Sequence, residues 1–189
     1  MQADGDLWAF ALRVYGQPGV PDACLGLQDG LAADVNLLLF AAWLGAGGRR
    51  LDSQETRAAV DAVIQWHGEV VEELRRLRRR LKTGPAPAPN LATDALREAV
   101  KACELSAEKI ELEILQDLRD SFAPGLPDDP MTAAAANLVS VLGITARTRP
   151  GEAEAGRLSA IIEAAIPNTG RSAIEAAVLQ HLRILRQAG

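Results

Sequence analysis

The sequence predicts an all-α fold, and three observations carry that expectation. Alanine and leucine, 34 and 26 residues, fill nearly a third of the 189 positions. Aromatic residues make up only 4%, so the β-branched and aromatic runs that favour strands are largely missing. Glycine and proline gather in a few short breaks between long helix-compatible stretches. A hydrophobic fraction of 48% suffices to bury a core at this length, and 24% charged residues is ordinary for a soluble surface. These values exclude a disordered chain and a disulfide-stapled scaffold.

Taken in order, the elements are as follows. Leu7, Trp8, Phe10, Ala11, Leu12, Val14 and Tyr15 make a first helix that is apolar almost all round and is expected to be enclosed, ending at Gly16. Pro18 suits the first turn of a second helix, in which Val20, Ala23, Cys24 and Leu27 recur at i, i+3, i+4 and i+7 as one buried face. Asp34 caps a third helix whose body, 35–44, is apolar except for Asn36, and Gly45, Gly47 and Gly48 stop it. Asp52 and Glu55 form a capping box that opens a long helix to about residue 82. Its Val60, Val63, His67, Val70, Leu74, Leu77 and Leu81 alternate spacings of three and four, the pattern of a packing seam. The proline-rich stretch 83–90 cannot continue a helix. A second long helix, 93–122, repeats the alternation with Leu96, Val100, Cys103, Ala107, Ile110 and Ile114, so the two are expected to return on each other as an antiparallel hairpin. A second stripe on it, Leu105, Leu112, Leu115 and Leu118, places that helix between two layers. After a break at 123–129, three helices follow at 130–146, 152–166 and 172–187, the last with Ser172 and Glu175 as a capping box. The expected architecture is a bundle of seven to eight helices with a long antiparallel hairpin. Residues 1–122 form the N-terminal knot and hairpin, and 123–189 form a C-terminal subregion packed on it in one compact domain.

Charge and cysteine content narrow the function classes. A net charge of −5 opposes nucleic-acid binding, which depends on a basic excess to displace counterions from phosphates. Residues 1–6 are acidic where a signal peptide would be basic, and the longest apolar run, 37–44, is too short to cross a bilayer, so a cytoplasmic protein without membrane contact is expected. Cys24 and Cys103 both fall on apolar helical stripes, which predicts buried reduced thiols.

The N-terminal third carries a recognisable pattern. It runs Trp8, Phe10, Leu12, Tyr15, then Pro18-Gly19-Val20, Ala23-Cys24-Leu25, Leu27-Gln28-Asp29, and Asp34-Val35-Asn36-Leu37-Leu38-Leu39-Phe40 with Trp43. Together with Trp66, the Arg-rich stretch 74–82 and the Glu-rich stretch 104–113, it resembles a family of short, uncharacterised proteobacterial proteins, a domain of unknown function, over residues 7–118. One departure is Ala32, where that pattern has a glycine. The resemblance implies a helical fold and a bacterial source and supplies no catalytic residues.

Four groups of residues carry candidate chemistry. Gln28, Asp29, Asp34 and Asn36 lie among apolar helices beside Trp8, Tyr15 and Trp43, where buried polar groups need partners. They read either as helix caps or as the polar part of a small-molecule pocket. His67 sits in the apolar seam and can face Glu104, Glu108 or Glu111 of the returning helix, as a core histidine with one partner or as a proton-transfer or metal group. A carboxylate-bridged dimetal bundle needs Glu-x-x-His pairs, and neither His67 nor His181 has a Glu three residues before it, so no metal and no cofactor is expected. Arg75, Arg76, Arg78, Arg79, Arg80 and Lys82 make a basic helix end that reads as an interaction surface or as the partner of the acidic returning helix. Segment charges favour pairing, since 53–82 carries +2 and 83–122 carries −4. The glycine loop 45–50 lacks the lysine and Ser/Thr of a phosphate loop, and no Ser, Cys or His arrangement supports nucleophilic catalysis.

The sequence thus points to a helical adaptor or protein-interaction module, with self-association as one form of it. The alternative is a small-ligand or enzyme site between the N-terminal helices and the hairpin, built from Gln28, Asp29, Asp34, Asn36, His67, Glu104 and Glu108.

Overall fold

The computed structural model describes residues 6–123, 125 and 127–187, and its architecture is all-helical. The acidic stretch 1–6 lies outside the described residues except for Asp6, as do Pro124 and Leu126 of the 123–129 break. Helices α1 (Leu7–Tyr15), α2 (Val20–Leu31) and α3 (Val35–Ala46) form the N-terminal knot. A long rod follows, made of α4 (Ser53–Trp66), a π-helical turn (His67–Val71) and α5 (Glu72–Leu81). Helix α6 (Leu91–Ser121) runs back along it, and α7 (Pro130–Thr145), α8 (Ala155–Ala165) and α9 (Arg171–Gln187) complete the chain. Among the described residues no strand occurs; a single isolated bridge joins Arg49 to Pro127.

Local signals set most boundaries. Asp34 accepts from the backbone N–H groups of Asn36 and Leu37 and so caps α3, and the Asp52/Glu55 capping box opens α4. Helix α2 begins at Val20, two residues beyond Pro18, after Gly19 at φ 82°, and it is Pro21 that occupies the first turn. Its predicted face is buried as expected, with Val20, Ala23, Cys24 and Leu27 all inside. Ala32 ends α2 in the left-handed conformation at φ 56°, which is the physical reason a glycine suits that position. Helix α9 starts at Arg171, so Ser172 lies within its first turn and not at the cap.

Helix α3 is enclosed on every side and is the centre of the molecule. The C-terminal helices provide much of that cover: α3 packs most extensively on α7, α2 on α8, and α7 on α9, in one continuous core from Leu7 to Leu182. Gly45 does not stop α3, as the sequence led one to expect. It lies inside the helix, where a side chain would overlap the backbone of Ala134 in the alanine run of α7. Asn137, fully buried on α7, accepts from Leu51 N–H and donates to the carbonyls of Ala41 and Arg49, tying the loop before α4 to the core.

The rod and α6 are antiparallel, with Arg75 opposite Glu104, Trp66 opposite Ala107 and His67 opposite Glu111. The seam between them keeps Val60, Val63, Leu81, Val100 and Ala107 of the predicted one and departs from it in between. In the π-turn the Glu72 N–H bonds to the His67 carbonyl, which inserts one extra residue and shifts the inward face of the turns that follow. Val60 and Val63 face inward as expected and so does Leu81 at the far end, but just after the turn Val71 and Arg75 are buried while Leu77 is 47% exposed and Val70 and Leu74 only half-buried. On α6 the buried face is Val100, Glu104, Ala107 and Glu111, so Leu96, Cys103 and Ile110 point to solvent. Cys103 is therefore an exposed thiol, whereas Cys24 is buried and its thiol is pushed up to about 12 by burial. The displaced seam makes a direct prediction. Val71→Ala, which opens a fully enclosed site, costs about 1 to 3 kcal/mol, whereas Leu74→Ala costs under about 1 kcal/mol. Urea unfolding of the two variants checks the order, and a larger loss at Leu74 would place the seam where the periodicity put it.

Candidate functional site

Two polar clusters lie between the N-terminal helices and the hairpin, and each draws residues from elements far apart in sequence. The first is centred on His67, in the π-turn. Its Nδ1 lies 3.1 Å from Asp34 Oδ2 and 3.2 Å from Glu111 Oε2, and its Nε2 lies 3.6 Å from Glu72 Oε1. Asp34 and Glu111 are buried, Glu111 completely. The other Asp34 oxygen caps α3, and Asn36 Nδ2 donates to Glu111 Oε2 at 3.1 Å. Asp34, His67 and Glu111 could together hold a metal ion, since one ligand atom from each lies within 4.8 Å of the others.

The electrostatics of this trio follow from burial and crowding. Burial, reinforced by the charge of Glu111, raises the Asp34 carboxyl well above the ordinary range. For His67, burial lowers the imidazole, but the hydrogen bond to Glu111 and the charges of Asp34 and Glu111 outweigh it and lift the group to about 9. Both shifts act in one direction. The folded chain binds protons at both groups more tightly than the unfolded one, so the His67 contribution to stability is present below about pH 6.5, the unfolded histidine value, and fades as pH rises through about 9, while the Asp34 contribution begins to fade from its own lower unfolded value. In a chelating buffer the melting temperature is expected to fall between those limits, and to fall less in His67→Gln. A flat profile for the unaltered chain would contradict the assignment.

The second cluster is centred on Arg75, whose side chain is only 10% exposed. Its Nε donates to Glu104 at 2.9 Å and its Nη2 to Glu108 at 2.6 Å, and with its amide oxygen turned inward Gln28 also accepts from the guanidinium. Arg78 donates to both oxygens of Glu104. Burial raises the Glu104 carboxyl, but the hydrogen bonds from Arg78 and Arg75 outweigh it and hold the group below its ordinary value. For Glu108 burial wins over the pull of Arg75, and its carboxyl is raised.

This second cluster forms the base of a cavity of about 380 Å³. The base is lined by Asn36, Arg75, Glu104 and Glu108 with Leu39 and Leu112, and the rim by Leu12, Leu25 and Leu105, 53%, 43% and 49% exposed. Trp8 and Tyr15 also face it, which explains why α1 is not enclosed as its composition implied: one of its apolar sides borders open space. Asn36 belongs to both clusters, since it lines the cavity and bonds Glu111.

The structure therefore sorts the sequence candidates. Asp34, Asn36 and His67 meet around Glu111, the last of the three glutamates that periodicity offered to His67. Gln28, Glu104 and Glu108 meet around Arg75. Asp29 stands apart at the surface, paired with Arg79 at 3.1 Å. Of the basic run, Arg75 and Arg78 turn inward onto α6, Arg76 pairs with Glu73 on its own helix, and Arg80 is exposed. Sequence reasoning missed that Arg75 is buried and that Glu72 approaches His67. A signal existed for the α6 side, because Glu104, Glu108 and Glu111 are spaced four and three apart, which places three carboxylates on one helical face.

Residues 6–115 of the chain match a family model described as protein of unknown function (DUF2390). The chain belongs to that family. The matched segment contains both clusters and stops before α7. No curated protein and no solved structure matches the chain. Among the described residues no helix is long and apolar enough to cross a membrane.

Proposed function

We propose that the chain is a small-ligand-binding protein whose site is the cavity between α1–α3 and the hairpin. The observation that carries this reading is the combination of an exposed leucine rim with a buried, charge-balanced base. Two cations, Arg75 and Arg78, meet two carboxylates, Glu104 and Glu108, with large apolar side chains beside them, and a third cation, Lys101, stands at the exposed edge of the cavity, 3.7 Å from Glu98. The base is internally paired and Lys101 at the edge is answered by Glu98, so the fitting ligand is amphipathic, with an apolar body against Leu12, Leu25 and Leu105 and an uncharged hydrogen-bonding head near Asn36 and Glu108. Trp8 on the wall supplies the readout. Fragments of that chemistry should change the intrinsic fluorescence of the full chain. Leu105→Trp, at an exposed rim position, should abolish their binding while leaving the melt unchanged. Absence of binding across the fragment set, or binding indifferent to that substitution, would overturn the reading.

A second reading, self-association, has its own observation. By turning the predicted seam outward, the π-turn leaves a strip of Val70, Leu74 and Leu77 bordered by Glu69 and Glu73 toward one end and Arg76 and Arg80 toward the other. Two copies laid antiparallel would match acidic to basic ends and cover the leucines. Light scattering should then report a dimer that Leu77→Glu converts to a monomer; a monomer at all concentrations would remove this reading.

A further inference from the structure

We propose that Asp34, His67 and Glu111 form a mononuclear site for a divalent transition-metal ion of the Zn²⁺, Mn²⁺ or Fe²⁺ class. The inference goes beyond the cavity reading and does not rest on it.

The geometry points there in three ways. One imidazole nitrogen and two carboxylates form the mixed nitrogen and oxygen set that suits ions between the hard alkaline-earth and the soft thiophilic ones. Ions of this class bind such ligands at about 2.0 to 2.2 Å, which places neighbouring ligand atoms about 2.9 to 3.5 Å apart at ordinary bond angles. The observed separations from His67 Nδ1, 3.1 and 3.2 Å, fall in that interval. Second, each ligand is already held by an outer partner. The backbone of Asn36 and Leu37 fixes one Asp34 oxygen and leaves the other facing His67, Asn36 Nδ2 holds Glu111, and Glu72 faces the far nitrogen of the imidazole, as in the carboxylate–histidine–metal arrangement. Third, the single Nδ1 faces two buried carboxylates but carries at most one hydrogen, and an ion seated among the three would displace the protons that the ion-free cluster holds, so its binding releases protons and is favoured as pH rises. The π-turn is what brings this nitrogen to the carboxylates, and such turns recur at functional sites. The absence of Glu-x-x-His pairs bears on a dimetal centre; it does not bear on three ligands drawn from the α3 cap, the rod and α6.

The test uses the full chain, stripped with a chelator and titrated with Zn²⁺ alone and with Mn²⁺ alone by calorimetry. One ion per chain is expected. His67→Ala should abolish that binding, and Glu72→Gln, which only orients the imidazole, should weaken it about 10- to 100-fold. Leu105→Trp should leave it unchanged, so that failure of the cavity reading and failure of the metal site are distinguishable. Circular dichroism establishes that each variant is folded. Should His67→Ala unfold, the Co²⁺ spectrum of the unaltered chain decides: visible ligand-field bands without a thiolate charge-transfer band support the site. A thiolate band would place the ion on a cysteine and overturn it. So would a chain that binds no ion, or a folded His67→Ala that binds one as tightly as before.

Discussion

Arg75→Met is expected to destabilise the chain by about 3 to 5 kcal/mol, the cost of removing one partner from a buried ion-pair network. The guanidinium holds Glu104 at 2.9 Å and Glu108 at 2.6 Å, and its loss leaves Glu108 facing an apolar wall and Glu104 with Arg78 alone. Arg76→Met provides the control one residue away. That side chain is 75% exposed and pairs within its own helix, so its removal should change stability by under about 1 kcal/mol. The sign of the pH dependence is also defined. Glu104 is held below its ordinary value in the folded chain, so its contribution is present above about pH 4.3, the unfolded carboxylate value, and is lost as pH falls through its lower folded value. Arg75→Met should therefore be separated from the unaltered chain most widely near neutral pH, with the gap narrowing in acid. Replacing Arg75, Glu104 and Glu108 together by Met and Leu should recover part of the loss, because an apolar substitute leaves no unpaired charge. Urea unfolding of the three variants measures all of this, and equal effects at Arg75 and Arg76 would show that the cluster is solvated.

Gly45→Val is expected to cost about 3 kcal/mol, at the upper end of what overpacking produces. The added Cβ would lie 2.5 Å from the Ala134 nitrogen and closer still to its Cα, and a backbone clash cannot be relieved by a rotamer change. Helices α3 and α7 would have to separate, opening the most extensive helix contact in the molecule. Gly30→Val, with no atom within 4 Å of the added Cβ, controls for the change in chain entropy. If the two substitutions melted alike, the close approach of α3 to α7 would be refuted.

The helices themselves were legible because their signals are local. Apolar spacing identified the α2 face, Asp34 and the Asp52/Glu55 box marked two starts, and the proline-rich stretch at 83–90 marked the hairpin turn. The polar residues of the site were legible too, as an unexpected concentration of Asp, Asn and His among apolar positions. Their partners were not. His67 faced three candidate glutamates one helical turn apart from one another, and a choice among Glu104, Glu108 and Glu111 requires the axial register of two rods to within a turn.

That register is where tertiary structure overrode the pattern. A π-turn costs helical regularity and has no reliable sequence mark; here it rotates the rod by one residue's angle, buries Val71 and Arg75, leaves Leu74 half-buried and turns Leu77 outward. Helix type, the caps at Asp34 and Asp52 and the inward face of α2 were determined by the sequence alone, since each depends on residues within a turn or two of one another. Which of two faces of a long amphipathic helix is covered, which glutamate meets His67, and why Gly45 must be a glycine were decided only by the assembled structure. Each depends on the approach of a surface distant in sequence, Ala134 of α7 for Gly45 and the carboxylate face of α6 for the rod.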